Sequence, residues 1–152
     1  MSYLAPVKVV GGQGGTPFTF NDADTGAVIK KVEVWVAPDL VRFISVLMTD
    51  GAQQTYGTAE VEGDLMLSFT FEDGEYFSDL SLWPNSTGDR LSGFRFKTTK
   101  CNFFEACMVN GKSSVTETPV DVGSGLCFGV KGRSGTEINA FGFLFQVKSN
   151  PV

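Results

Sequence analysis

Short runs of alternating apolar and polar residues, cut by glycine-rich turns and never by a helical period, constrain this chain more than any other feature. Val32, Val34 and Val36 alternate with Glu33 and Trp35, and Leu65, Leu67, Phe69 and Phe71 alternate with Met66, Ser68 and Thr70. The rhythm returns at Phe94 and Phe96 around Arg95, and at Phe141, Phe143 and Phe145. A period of two sends one side of each segment to a core and the other to solvent. Leu40–Met48 and Leu126–Val130 are more continuously apolar, so burial on both faces is expected there. Turns separate the runs at Asp50-Gly51, Glu62-Gly63-Asp64, Asp73-Gly74, Pro84–Gly88, Asn110-Gly111 and Gly123-Ser124-Gly125. Asp73-Gly74 predicts a tight hairpin between the strands on either side. Strands roughly every 8–12 residues with no helices between them predict an all-β sandwich, barrel or prism. A length of 152 residues predicts one domain, spanning 1–152.

The charge balance narrows the partners. A net charge of −5 and no basic cluster argue against nucleic acid, whose binding rests on Lys and Arg contacts to phosphate. No apolar run approaches the roughly 18 residues of a membrane span, so no membrane insertion is expected. Met1–Val10 lacks a charged region followed by an apolar one, so it does not read as a signal peptide; a cytoplasmic location is expected, with export by another route left open. Asn85-Ser86-Thr87 is an N-glycosylation sequon that matters only in a secretory compartment. The chain has no histidine, which excludes Ser-His-Asp and Cys-His catalysis. Three cysteines at irregular spacing, Cys101, Cys107 and Cys127, form neither a disulfide framework nor a zinc site. They are expected to be free and mostly buried, with a Cys101–Cys107 bridge as the rival.

Several local patterns read as ordinary turns. Asn21–Gly26 faintly resembles a calcium loop, but its glycine comes early and no glutamate closes it. Glu72, Asp73 and Glu75 read as a solvated hairpin tip rather than a paired acid and base. Trp35 and Trp83 each read as a core residue or a sugar-stacking platform; core is the default for Trp35, and for Trp83, beside a polar loop, both readings stay open.

Two glycine clusters stand apart. Gly11-Gly12-Gln13-Gly14-Gly15 has no following Lys-Ser/Thr and opens no helix, so it is neither a P-loop nor a dinucleotide fingerprint. The second, Gly132-Arg133-Ser134-Gly135, runs into Thr136, Glu137, Ile138 and Asn139. Glycine lets backbone amides approach a ligand closely, and an amide-lined pocket with one polar side chain suits sugar hydroxyls.

In order and spacing these pieces resemble the jacalin-related lectins. Gly11–Gly15 followed by Phe18, Asp73-Gly74-Glu75-Tyr76, Leu91–Thr98 and Phe128–Gly135 leading to Ile138 and Gly142 carry the resemblance. It implies a β-prism I fold: three four-stranded antiparallel sheets with pseudo-threefold symmetry and both termini in one sheet. It also implies a sugar held without metal or cofactor between the first and last glycine loops and a third loop nearby. Carried over, Gly15 supplies an amide of the first loop, Gly135, Thr136, Glu137, Ile138 and Asn139 form the second, and Asp89 and Arg90 belong to the third. An uncut chain at Gly15 favours mannose or glucose over galactose. Asn139 stands where the family has an acid, so either preference is altered or the site is lost; Glu137 is a candidate substitute acid. The implied partners are glycans or glycoproteins, with a homodimer or homotetramer supplying avidity. The alternative is a non-catalytic protein-interaction module whose sugar site has decayed.

Overall fold

The computed structural model describes residues 5–107 and 117–147. The Asn110-Gly111 turn lies outside the described residues. The chain forms three four-stranded sheets with antiparallel pairing throughout. One joins β1 (Val10–Gly11), β12 (Ile138–Phe145), β11 (Cys127–Ser134) and β2 (Thr16–Asn21), in that order. A second runs β5 (Gln53–Gly57), β4 (Val41–Met48), β3 (Ile29–Val36), β6 (Leu65–Thr70). The third runs β10 (Thr118–Pro119), β7 (Phe77–Pro84), β8 (Leu91–Thr98), β9 (Phe103–Cys107). The one short helical turn among the described residues, Ala23–Thr25, falls within Asn21–Gly26, where the sequence predicts a turn.

The threefold repeat that the residues conceal is plain in the register. The inner pair of every sheet, β3/β4, β7/β8 and β11/β12, consists of two eight-residue strands. Each pair slips register near both ends of its first strand: at Ile29/Lys31 and Trp35/Val36, at Phe77/Asp79 and Trp83/Pro84, and at Cys127/Gly129 and Arg133/Ser134. Bulges bend and twist a strand, so three bulged pairs curl around one axis. The inner faces meet in an aromatic core. Phe77 and Phe96 lie 4.7 Å apart between ring centroids, Phe94 and Phe143 5.4 Å, and Phe141 and Phe143 5.0 Å. Tilted and edge-to-face rings at these spacings add attraction beyond the area they bury.

Several expectations need correction. Asp73-Gly74 is not a hairpin: β6 pairs only with β3, and β7 belongs to another sheet. Turn chemistry sets the local reversal, closed by Glu75 N–H donating to the Glu72 carbonyl at 3.0 Å, but not the strand that pairs next. At this corner Glu75 is buried, 4% exposed, not solvated. Its carboxylate accepts from the Glu72 amide at 2.9 Å, the Asn102 side chain at 2.7 Å and the Thr98 hydroxyl.

Trp35 departs from its core default, and Trp83 takes the core reading of its two. Trp83 is fully buried, whereas Trp35 is half-buried and donates to Glu33 at 3.1 Å. Both occupy the same bulged position of their sheets, but Trp83 faces Gly93 across the ladder and Trp35 faces Phe43. A Cβ on Gly93 would lie 2.8 Å from Trp83 Cζ2, so the glycine is what lets the indole lie down. The strand buried along its whole length is β12, whereas β4 leaves Arg42, Phe43 and Leu47 partly exposed. The three cysteines are free, but only Cys127 is buried.

Candidate functional site

Three segments converge at one end of the β1/β12/β11/β2 sheet. The β11–β12 turn closes where Gly135 N–H donates to the Glu137 carbonyl at 3.1 Å. The glycine loop after β1 is drawn onto the start of β12 by Gly12 N–H donating to the Asn139 carbonyl at 2.8 Å. The β7–β8 loop comes so near that a Cβ on Gly12 would sit 2.6 Å from Asp89 Cα. Only a residue without a side chain lets these loops pass at that distance.

Gly14 and Gly15 lie on the Asn139 carboxamide. Gly15 adopts φ 74°, and a Cβ there would lie 2.5 Å from Asn139 Oδ1, while one on Gly14 would lie 3.0 Å from Nδ2. Asn139 is only 5% exposed, yet among the described residues its carboxamide has no hydrogen-bond partner, and neither of its polar atoms is sealed from solvent. Among the described residues the amides of Gly15, Thr136 and Glu137 donate no turn or loop hydrogen bond. Three backbone donors and one carboxamide in these neighbouring loops thus keep their hydrogen-bonding capacity unused.

Charged side chains brace the loops. Arg133, at the end of β11, donates from Nε to the Gly14 carbonyl at 3.0 Å and from Nη2 to the Gly15 carbonyl at 3.1 Å. The Glu137 carboxylate pairs with Arg90 Nε at 2.9 Å and Arg42 Nη1 at 3.4 Å, and Arg42 also holds Asp64 at 2.6 Å. This carboxylate, the candidate substitute acid, is thus paired with two guanidinium groups, while the Glu137 amide donates no loop hydrogen bond among the described residues. Asp89 turns into its own loop, accepting from Thr87 at 2.7 Å and Asn85 at 2.9 Å. Those two hydrogen bonds, with Arg90 nearby, hold its carboxyl below the usual aspartate range. The Asn85 side chain of the sequon is tied down in turn, accepting from the Asp89 and Arg90 amides.

Gly15 therefore lies against Asn139, Gly135, Thr136 and Glu137 form the adjoining turn, Arg90 pairs with Glu137, and Asp89 lies against Gly12. The Ile138 side chain is fully buried in the core cluster, so it has only backbone to offer. Sequence reasoning missed Arg133 and Arg42. Arg133 is visible inside the glycine cluster, but its partners come from the far end of the sequence.

The threefold repeat supplies an internal comparison. Arg42, Ser92 and Asn139 are each the second residue of an inner strand. Arg42 is taken up by Asp64 and Glu137, and the Ser92 hydroxyl donates to the Asp39 carbonyl at 3.2 Å. Of the three, only Asn139 leaves its polar group free for something else.

The chain matches known proteins over nearly all its length. The family model described as the Jacalin-like lectin domain matches residues 7–144. The crystal structure of lamprey immune protein is similar at 39% identity and a TM-score of 0.89 over 97% of this chain. The present chain spans 46% of that protein, about half its length. A mannose-specific jacalin-related lectin from Morus nigra, solved in complex with mannose, has 19% identity and a TM-score of 0.70, with 97% of each chain covered. Wild-type Malaysian banana lectin has 24% identity and a TM-score of 0.66, covering 93% of this chain and 97% of its own. These last two share the fold, the β-prism I of three four-stranded sheets. No curated protein sequence matches the chain. The match across the three sheets and both glycine loops makes this chain a member of the jacalin-like lectin domain family.

Proposed function

We propose that this chain is a carbohydrate-binding lectin that holds a mannose- or glucose-type sugar, without catalysis or metal, between the Gly11–Gly15 loop and the Gly135–Asn139 turn. Jacalin-like lectins are generally non-catalytic binders of carbohydrate, and the Morus nigra relative is mannose-specific. The observation that carries the reading is Asn139: a nearly buried carboxamide with no internal partner among the described residues, under two glycines and beside unused amides. Sugar hydroxyls both donate and accept. The Asn139 oxygen accepts from one hydroxyl, its NH2 donates to another, and the Gly15, Thr136 and Glu137 amides donate to the remaining oxygens. A carboxylate in place of Asn139 would accept charge-assisted bonds, so the amide costs on the order of 1–3 kcal/mol of affinity.

The test is a glycan array with wild type, Asn139→Ala and Asn139→Asp. Binding of mannose- or glucose-ended glycans that is lost in Asn139→Ala supports the reading. Binding by the Asp variant alone assigns wild type to the alternative class, a protein-interaction module. No binding by any of the three overturns the sugar site. Because Arg42 and Ser92 are internally engaged, the reading gives one cleft per prism, and a homodimer or homotetramer would supply multivalent attachment to glycans or glycoproteins.

A further inference from the structure

We infer that Arg133 is a positioning residue that fixes the direction of the Gly15 amide before any ligand arrives; the inference deepens the sugar-binding reading above and rests on it for its consequence. Gly14 and Gly15 form the most mobile kind of backbone, since neither carries a Cβ to restrict its dihedral angles. Left alone, a Gly-Gly pair would sample many orientations and would lose that entropy on binding. Arg133 removes the freedom from outside. Its Nε donates to the Gly14 carbonyl at 3.0 Å and its Nη2 to the Gly15 carbonyl at 3.1 Å.

The peptide bond carries the consequence. The Gly14 carbonyl and the Gly15 N–H belong to one planar trans unit and point in opposite directions. Tying the carbonyl to Arg133 therefore turns the Gly15 N–H away from the guanidinium, and among the described residues no loop carbonyl takes it up. The planar guanidinium fork suits the task because two donors in fixed relation hold two successive carbonyls. Arg133 is itself set by β11, where it pairs with Pro17 on one side and Ala140 on the other. The first loop is thus oriented by the strand that leads into the second, and the two walls of the cleft are built as one piece. Among the described residues no carboxylate competes for Arg133.

The experiment compares wild type, Arg133→Lys and Arg133→Ala by amide 15N relaxation and hydrogen exchange without ligand, and by titration with methyl α-mannoside. The expected result is a loss of order confined to residues 13–16 in Arg133→Ala. Affinity for the mannoside should fall by about tenfold, the scale of a lost preorganising contact, with an unchanged melting temperature. Arg133→Lys keeps the charge but can hold only one carbonyl well, so it should recover part of the order. A Gly15 amide as ordered in Arg133→Ala as in wild type overturns the inference. So does an affinity loss that tracks a fall in melting temperature. If wild type binds no mannoside, the ligand-free relaxation data still decide the role of Arg133, and only the sugar reading falls.

Discussion

Replacing Gly15 by alanine adds one methyl group where two independent constraints oppose it. Gly15 sits at φ 74°, and holding an L-residue in the left-handed region costs about 1–2 kcal/mol. The new Cβ would also lie 2.8 Å from the carbonyl carbon and oxygen of Ser134. That backbone is pinned, because Ser134 pairs with Thr16 on one side and Ile138 on the other. Overpacking against a group that cannot yield costs about 1–3 kcal/mol. The third neighbour, Asn139 Oδ1 at 2.5 Å, is the end of a side chain and can rotate away, which displaces the carboxamide. The expected loss of stability is therefore about 2–5 kcal/mol, together with loss of the proposed sugar binding. For a chain of this size it appears as a fall in Tm of at least about 4 °C. Gly135→Ala is the control. Its backbone lies outside the left-handed region and nothing lies within 4 Å of an added Cβ, so its stability should stay within about 0.5 kcal/mol of wild type. Urea unfolding of the three proteins, compared at equal slope, reads both numbers. A Gly15→Ala variant as stable as Gly135→Ala would refute the reasoning.

Further outcomes follow from the titratable groups. Burial pushes the Glu75 carboxyl up, but hydrogen bonds from Glu72, Thr98 and Asn102 outweigh it and the net shift is down. The stabilisation is complete above the ordinary glutamate range and fades as pH falls through the lowered value. Glu75→Gln should cost about 1–3 kcal/mol near neutral pH and much less in acid, as acid titration of urea midpoints would show. Asp22 is shifted the other way, by desolvation first and by Asp50 second. Its folded form disfavours ionisation, so stability is lost as pH rises past the ordinary aspartate value, and Asp22→Asn should raise the neutral-pH Tm while leaving the acid Tm unchanged. The thiols should label in order. Exposed Cys101 reacts first and Cys107, raised by burial and Glu105, more slowly; Cys127, pushed up to about 12 by burial, reacts only on unfolding. Mass spectrometry of timed alkylation distinguishes the three, and early labelling of Cys127 would contradict its burial.

Individual strands are legible because alternation is a local signal. Val32–Val36, Leu65–Phe69, Phe94–Phe96 and Phe141–Phe145 all fall in strands. What fails depends on pairing. Asp73-Gly74 has hairpin chemistry, but the preceding strand finds its neighbour in β3. The tryptophans cannot be told apart locally because their burial is decided by the residue across the ladder, Gly93 for one and Phe43 for the other. At the site, the two glycine loops and Asn139 are readable as a pattern. Arg133 and Arg42 are not, since a brace is recognisable only when both of its ends are known, and here the ends are far apart in sequence.

The sheet that carries the cleft is assembled from opposite ends of the sequence: Val10 with Phe141, and Phe20 with Val130. Contacts of such separation bring a large loop-closure entropy and form slowly. The other two sheets are each drawn from one continuous stretch, so they can form while this seam is still open. The cleft straddles the seam, with Gly15 on one side and Asn139 on the other, and does not exist until the ring is shut. Any ligand that fits it binds only the closed chain and so stabilises closure by mass action. Under the proposed reading, sugar should slow the opening of this one sheet, and the ligand would be the latch of the fold that holds it.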